Sequence, residues 1–256
     1  MRIIAVTQAR VGSTRLPGKV MMKVGEDTLL GIHLERILKA KMLTSVTVAT
    51  TVAPEDEPIV EVAKTYGVGT FRGSVEDVLD RFCQALRGQR ADYVARLTSD
   101  CPLIDPVLID KVIKHATDND LDYCSNTLDP SYPDGQDVEV FKMSALEAAW
   151  QKAQQKSERE HVTPYIWKNS TFKGGNLFKS DNFKESYDYG HLRMTVDEVA
   201  DFDLIRRLIN EMGKNRSWLE YAEHLKRNEL LRSLNADIGR NEGYEKSLNT
   251  DNEKSI

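Results

Sequence analysis

Through its first two-thirds the chain alternates short β-branched runs with amphipathic stretches of helical spacing, and that alternation restricts the fold more than any other feature. Ile3 to Thr7 is a compact β-prone run. Leu29 to Leu43 sets Ile32, Ile37 and Leu38 apart from Glu35, Arg36 and Lys39, the spacing of a helix. Ser45 to Val52 reads as a strand. Glu55 to Tyr66 follows Pro54 and reads as a helix, with Ile59, Val60, Ala63 and Tyr66 on one face and Gly67 as its stop. Val75 to Leu86 is a further amphipathic helix and Tyr93 to Leu97 a strand. Asp105-Pro106 opens the next helix, the aspartate as N-cap and the proline at the first helical position. Such alternation through short loops predicts an α/β fold, a mostly parallel sheet flanked by helices on both faces. Ligands of these sheets bind beyond the carboxyl ends of the strands.

After about Asp120 the rhythm changes. Asp122 to Asn126, Val138 to Phe141, Phe172 to Phe178 and Leu192 to Val196 read as strands, separated by turn-rich loops and a helix over Ser144 to Gln155. Residues 120–195 are expected to add a β-arm or lid to the core sheet. Val199 to Met212 and Trp218 to Leu234 read as helices, and residues 249–256 as a polar, frayed tail. A single domain over residues 1–248 is expected, because 256 residues with 40% hydrophobic content suit one core. A formal charge of −5 argues against a nucleic-acid partner. Cys83, Cys101 and Cys124 make neither a disulfide framework nor a zinc knuckle, which points to a reducing cytoplasm. The first apolar run is too short for a signal segment or a membrane span, so no membrane association is expected.

The first strand runs directly into a loop, Ala9-Arg10-Val11-Gly12-Ser13-Thr14-Arg15-Leu16-Pro17-Gly18-Lys19. Glycines let a backbone approach a ligand closely, and free N–H groups cradle phosphate oxygens. Arg10, Arg15 and Lys19 would offset a triphosphate's charge. The loop is not a P-loop, because five residues separate Gly12 from Gly18 and Val20 follows Lys19. No G-x-G-x-x-G fingerprint is present either. Ala9, Arg10, Gly12, Ser13, Arg15 and Lys19 are the candidate nucleotide-binding residues. Arg72 and Ser74 join them, at the step from a strand end into a helix.

Two apolar runs end in aspartates: Tyr93 to Thr98 before Ser99-Asp100, and Leu192 to Val196 before Asp197. Carboxylates at two strand ends facing a triphosphate suit Mg²⁺, which takes hard oxygen ligands and bridges to phosphate. Asp100 and Asp197 are thus the candidate metal ligands, and with Arg10 and Lys19 the candidate catalytic set. Asp197 could instead only cap the helix that begins at Glu198. Asp105 fits a cap so well that it is left out. Gln136, Asp137 and Glu139, beside a turn, suit recognition of acceptor hydroxyls. His161, in Ser157-Glu-Arg-Glu-His161 at a helix start, is a further acceptor-site candidate. Asp80 and Arg81 could equally form exposed surface. Asp120-Leu-Asp122 and Asp201-Phe-Asp203 satisfy the short D-x-D signature of many glycosyltransferases, which keeps a sugar-transferring enzyme open. A non-catalytic nucleotide-binding protein is the third reading.

Ala9-Arg10-Val-Gly-Ser-Thr-Arg15-Leu-Pro-Gly-Lys19 resembles the opening loop of the CMP-sugar synthetases. Phe71-Arg-Gly-Ser-Val-Glu-Asp-Val-Leu-Asp-Arg81, Leu97-Thr-Ser-Asp100-Cys-Pro-Leu-Ile104, Arg159-Glu-His-Val162 and Asn241-Glu-Gly-Tyr244 are most similar to the spore-coat polysaccharide biosynthesis branch. The resemblance implies a Rossmann-like nucleotide-diphospho-sugar transferase fold. It also implies transfer of a nucleotidyl group from CTP, or another nucleoside triphosphate, to a sugar-like acceptor with loss of pyrophosphate. A homodimer built partly through the β-arm is implied as well. The family's phosphate loop falls on Arg10, Ser13, Arg15 and Lys19, and its metal aspartates on Asp100 and Asp197. Ser99 stands where better-known members carry glycine or alanine.

Overall fold

A computed structural model describes residues 1–253. The chain runs through β1 (Ile3–Gln8), β2 (Lys23–Val24), β3 (Asp27–Thr28), α1 (Leu29–Ile37), β4 (Ser45–Thr51), α2 (Glu57–Thr65), β5 (Gly69–Gly73), α3 (Val78–Leu86), β6 (Tyr93–Thr98) and α4 (Pro106–Asp118). It continues with β7 (Tyr123–Ser125), β8 (Glu139–Lys142), α5 (Met143–Lys152), α6 (Lys156–His161), α7 (Pro164–Lys168) and β9 (Ser180–Asn182). The last elements are α8 (Val199–Met212), α9 (Trp218–Arg227), α10 (Glu229–Arg232) and α11 (Glu242–Glu253).

Seven strands form one sheet in the order β5-β4-β1-β6-β8-β7-β9, while β2 and β3 form a separate hairpin. Only β8 is reversed relative to its neighbours, so the sheet is mostly parallel, as the alternation predicts. Successive residues of a strand face opposite sides. Ile3 and Ala5 of β1 therefore enter one core, with Leu30 and Leu34 of α1 and Leu108 and Val112 of α4. Ile4 and Val6 enter the other, with Leu79 and Phe82 of α3 and Leu146 of α5. Residues 120–195 enlarge this sheet, adding β7, β8 and β9 beyond β6. Asp105 caps α4 as expected, accepting from the N–H groups of Val107 (2.7 Å) and Leu108 (3.3 Å).

Several boundaries differ from the sequence reading, each for a local reason. α1 stops at Ile37 because the chain turns into β4, and Asp110 of α4 fixes that turn by accepting from Lys41 and Met42 N–H. α3 starts at Val78, since Asp77 takes the N-cap and accepts from Asp80 N–H. Phe172 to Phe178 is not a strand: a 3₁₀ turn over Thr171–Lys173 ends at left-handed Gly174, and only Phe178 makes a β-bridge, to Ser170. The strand follows at Ser180–Asn182. Trp218 to Leu234 is broken at Asn228, whose side chain caps α10 by accepting from Leu231 N–H. Residues 249–253 of the expected tail lie in α11, while 254–256 fall outside the described residues.

Leu192 to Val196 also stays outside the sheet. It packs as an extended segment against the turn at 134–136: Asp134 N–H donates to Leu192 O (2.9 Å), and Met194 N–H to Asp134 O (2.6 Å). Gly135 makes that contact possible. It has φ +99°, and a Cβ there would lie 2.5 Å from Met194 C and Thr195 N. Replacing Gly135 by alanine adds both a strained backbone and a collision with main chain. Gly135→Ala is therefore expected to lose about 3 kcal/mol or more in urea denaturation. A loss below about 0.5 kcal/mol would contradict the close approach.

Candidate active site

The loop after β1 is held at two points. Val11 N–H donates to Asp56 Oδ1 at 2.7 Å, and Val11 O accepts from Ser13 and Gly18 N–H, both at 2.8 Å. Asp56 is buried, and its other oxygen takes Thr51 N–H and hydroxyl at the end of β4. Gly18, at φ +73°, turns the chain into a short 3₁₀ turn that begins at Lys19. The sequence reading missed Asp56, since an acid just after Pro54 looks like any first-turn helix acid.

Lys19 Nζ lies between the two proposed metal aspartates, 3.1 Å from Asp100 Oδ2 and 2.8 Å from Asp197 Oδ1. It also donates to Val196 O at 2.8 Å. Arg15 Nη2 shares Asp197 Oδ1 at 2.8 Å. Burial would lower the Lys19 pKa, but Asp100 and Asp197 outweigh it and raise the pKa above the ordinary lysine value. Burial alone would raise Asp100, yet Lys19 and hydrogen bonds from Thr98, Lys19 and Cys101 hold it well below the usual carboxylate range. Asp197 is not a cap. Glu198 caps α8 in a capping box with Asp201, leaving the Asp197 side chain free to face the loop. Val196 N–H and the Thr195 hydroxyl donate to Asp100 O (2.8 and 3.1 Å), which ties the two acidic segments together.

Behind Asp197 stands Arg193, which the sequence reading did not single out. It meets Asp197 Oδ2 (3.1 Å), Asp201 Oδ1 (2.8 Å) and Asp134 Oδ2 (2.6 Å). Asp201 is fully buried and also accepts from Asn235 Nδ2 at 2.8 Å. The D-x-D pair at Asp201 is thus spent on structure, and Asp120 lies exposed beside Lys142.

Two adjoining cavities open beyond the carboxyl ends of β1 and β6. The first, of about 270 Å³, is lined by Ala9, Arg10, Ser13, Arg15, Lys19, Asp100 and Asp197 from the candidate set, and by Arg81. Arg81 is buried rather than exposed. The second, of about 280 Å³, is lined by Asp137, Glu139 and His161 together with Trp167 and Tyr244. Arg96, Thr98 and His161 border both. His161 ends α6 rather than starting it, because Gln155 and Glu158 form the capping box. It bonds Ser247 Oγ at 3.0 Å. Burial, then Arg96, lowers its pKa to about 4, so the ring is neutral at pH 7.

Four candidates do not reach the cavities. Arg72 clips β4 to the following turn through the carbonyls of Thr51 (2.9 Å) and Ala53 (2.8 Å) and pairs with Glu57. Ser74 Oγ accepts from Asp77 N–H. Gln136 is fully buried and bonds main chain at Asp105 N–H and Leu103 O, both at 2.9 Å. Gly12 is exposed, and a Cβ there would meet nothing within 4 Å. Glu139 lines its cavity, but Arg96, Tyr123 OH (2.7 Å) and Thr163 Oγ1 (2.5 Å) already occupy its carboxylate. Asp137 is similarly paired with Arg240 at 2.6 Å.

A family profile described as Cytidylyltransferase matches residues 4–238. The chain belongs to the cytidylyltransferase family. A spore coat polysaccharide biosynthesis protein of Bacillus subtilis is 31% identical to it over 226 residues, 83% of this chain and 88% of that protein. An uncharacterized protein of Methanocaldococcus jannaschii is 39% identical over 242 residues, 93% and 96% of the two chains. The solved structure of a cytidylyltransferase from Leptospira borgpetersenii superposes with a TM-score of 0.85 at 34% identity, covering 91% of this chain and 97% of that one. The Rossmann-like nucleotidyltransferase fold is therefore that of the family.

The Arg193 cluster gives a pH test. Burial alone would raise Asp201, but Arg193 and Asn235 hold it below the ordinary range. Its stabilisation is therefore complete above the unfolded pKa of about 3.9 and is lost as pH falls through the lower folded value. Asp201→Asn is expected to cost about 3 kcal/mol in urea denaturation at pH 7 and 5, and less at pH 3. A difference that stays constant or grows at pH 3 would contradict the charged cluster.

Proposed function

We propose that the protein is a Mg²⁺-dependent cytidylyltransferase that moves CMP from CTP to a hydroxyl of a sugar acid or related acceptor and releases pyrophosphate. One observation carries this reading. Lys19 and two carboxylates meet at the floor of a cation-lined cavity, and that cavity opens into a second one fit for an acceptor. Asp100 and Asp197 fit a hard divalent cation. Their oxygens already converge on one cation, the Lys19 ammonium, and the described residues offer no third acidic, histidine or cysteine ligand. Two carboxylates, completed by phosphate and water, are the usual protein share of a Mg²⁺ site. When bound, Mg²⁺ would neutralise charge on the phosphates and orient them.

The chain's own groups do the rest. Arg10, Arg15, Ser13 and Lys19 hold the phosphates over the loop. Arg96 and neutral His161 stand where the cavities meet, beside the reacting hydroxyl and the α-phosphorus. Trp167 and Tyr244 give the acceptor cavity flat apolar walls, and Arg96 and Lys173 add cations to it. The hydroxyl oxygen attacks the α-phosphorus as its proton passes to solvent, the bond from that phosphorus to the oxygen bridging to the β-phosphate breaks so that pyrophosphate leaves, and positioning with electrostatic stabilisation supplies most of the rate. A role in surface polysaccharide synthesis is suggested by the likeness to the Bacillus spore coat polysaccharide biosynthesis protein. We place the enzyme in the cytoplasm as a homodimer; no described helix is long and apolar enough to cross a membrane.

The test is pyrophosphate release with CTP, UTP, GTP and ATP, Mg²⁺ and a panel of sugar acids. Release is expected with CTP only, to need an acceptor, to stop with EDTA, and to fall roughly 100- to 1,000-fold in Asp100→Asn. Transfer from a nucleotide sugar without pyrophosphate would favour the glycosyltransferase reading instead. Nucleotide binding without turnover that survives the substitution would mark a non-catalytic binder. Light scattering should give twice the 29.0 kDa chain mass; a monomer would remove the dimer from the proposal.

A further inference from the structure

His161 borders both cavities with one ring nitrogen engaged and the other open. Its Nε2 lies 3.0 Å from the Ser247 hydroxyl of α11. Its Nδ1 has no hydrogen-bond partner among the described residues and is not sealed off by packing. Ser247 decides which nitrogen carries the proton. Its hydroxyl has one hydrogen and three polar neighbours: His161 Nε2, Glu160 Oε2 at 3.0 Å and Gly243 O at 3.2 Å. A carboxylate and a carbonyl only accept. If the hydrogen pointed at Nε2, both of those oxygens would face the lone pairs of the hydroxyl. The hydrogen therefore goes to the oxygens, with the charged carboxylate the stronger acceptor, and His161 Nε2–H donates to Ser247 Oγ. A neutral imidazole protonated at Nε2 is bare at Nδ1.

We propose that His161 Nδ1 is the base that takes the proton of the attacking hydroxyl, and that Ser247 and Glu160 are positioning residues that keep this nitrogen bare. The assignment rests on the nucleotidyl-transfer reading of the same cavities. A lone pair of the hydroxyl oxygen forms the bond to the α-phosphorus, and the O–H pair stays on that oxygen as the proton moves to Nδ1. The pair of the breaking P–O bond leaves with pyrophosphate, and the imidazolium then gives its extra proton to solvent. Throughout, Nε2–H stays on Ser247, with the Glu160 carboxylate behind it to offset the imidazolium charge, as an acid does behind a histidine base. The charged groups around the ring are Arg96 of β6, Glu160 of α6, Glu139 of β8 and Asp251 of α11. Burial and Arg96 keep the ring neutral at rest, so the lone pair is available, and a triphosphate alongside brings negative charge that favours the imidazolium. Tyr244 of α11 adds a second restraint, edge-on to the ring at 5.2 Å. The C-terminal helix, which lies beyond residue 238 where the family match ends, thus sets the state of a group in the reaction centre.

Nitrogen NMR of the full chain with labelled histidine reads the tautomer directly, the His161 signals being those lost in His161→Gln. The proton should lie on Nε2 in wild type, with Nδ1 bare, and Ser247→Ala should give a mixture of the two tautomers. Pyrophosphate release with CTP, Mg²⁺ and acceptor reads the chemistry. Glutamine places an amide where Nε2 stands and nothing at Nδ1, so His161→Gln should lose roughly 100- to 1,000-fold in kcat with the KM for CTP within about threefold. Ser247→Ala should lose roughly tenfold in kcat. A proton on Nδ1 in wild type, a kcat within about threefold of wild type in His161→Gln, or a loss carried by KM alone overturns the assignment. Release by wild type with His161→Gln undiminished sinks the base alone, whereas no release by wild type from any nucleotide sinks the transfer reading and the base with it.

Discussion

The ion-pair chain Lys19–Asp197–Arg193–Asp201 holds together parts of the molecule that the sheet does not. Asp197 sits on a segment with no place in the seven-stranded sheet, tied in by hydrogen bonds to Asp134 and Asp100, by the buried side chains of Leu192, Met194 and Val196, and by these charges. Taking charges out of water is costly, and only good geometry with every donor and acceptor used offsets that cost. Arg193 meets the condition with three carboxylates, and Asp201 accepts from Arg193, Asn235 and the N–H groups of Asp197 and Glu198. The inner half of the cluster is thereby fixed. The outer half, Asp197 Oδ1 with Lys19 and Arg15, borders the cavity.

The charge pattern separates the two cavities chemically. In the second cavity the acids are already answered, Glu139 by Arg96 and Asp137 by Arg240. The C-terminal segment helps build both: Arg240 bonds Asp137, Glu242 lies 3.6 Å from Arg15, and Tyr244 packs edge-on against His161 and Trp167. A chain end more than a hundred residues from Asp137 thus shapes where the acceptor would lie.

The parallel sheet, the loop cations and the two acids that follow apolar runs were legible because each leaves a local mark: a period, a composition or a position, although only Asp100 follows a strand of the sheet. Arg10, Arg15, Lys19, Asp100 and Asp197 come together as that reading required. What failed was local chemistry without a tertiary partner in view. Arg72 and Ser74 sit at a strand end, yet carbonyls at the end of β4 and the cap of α3 claim them. Gln136 looked like a hydroxyl reader and instead satisfies buried main chain. The alternating Leu192, Met194 and Val196 have a strand's period because the three apolar side chains enter the core while Arg193 and Thr195 between them are buried on carboxylates and main chain, but their partner is a turn. Arg193, Arg96 and Arg240 were invisible for the complementary reason, since their meaning depends on acids 4 to 103 positions away.

The central claim is that Asp100 and Asp197 form a cation site that Lys19 fills in the absence of ligand. A crystal structure grown with CTP and Mn²⁺ tests it most directly through anomalous scattering. The account predicts a manganese peak in contact with both carboxylates and a phosphate oxygen, with the Lys19 ammonium turned from the acids toward phosphate. Nucleotide bound with Lys19 still between the two aspartates and no peak beside them would contradict it.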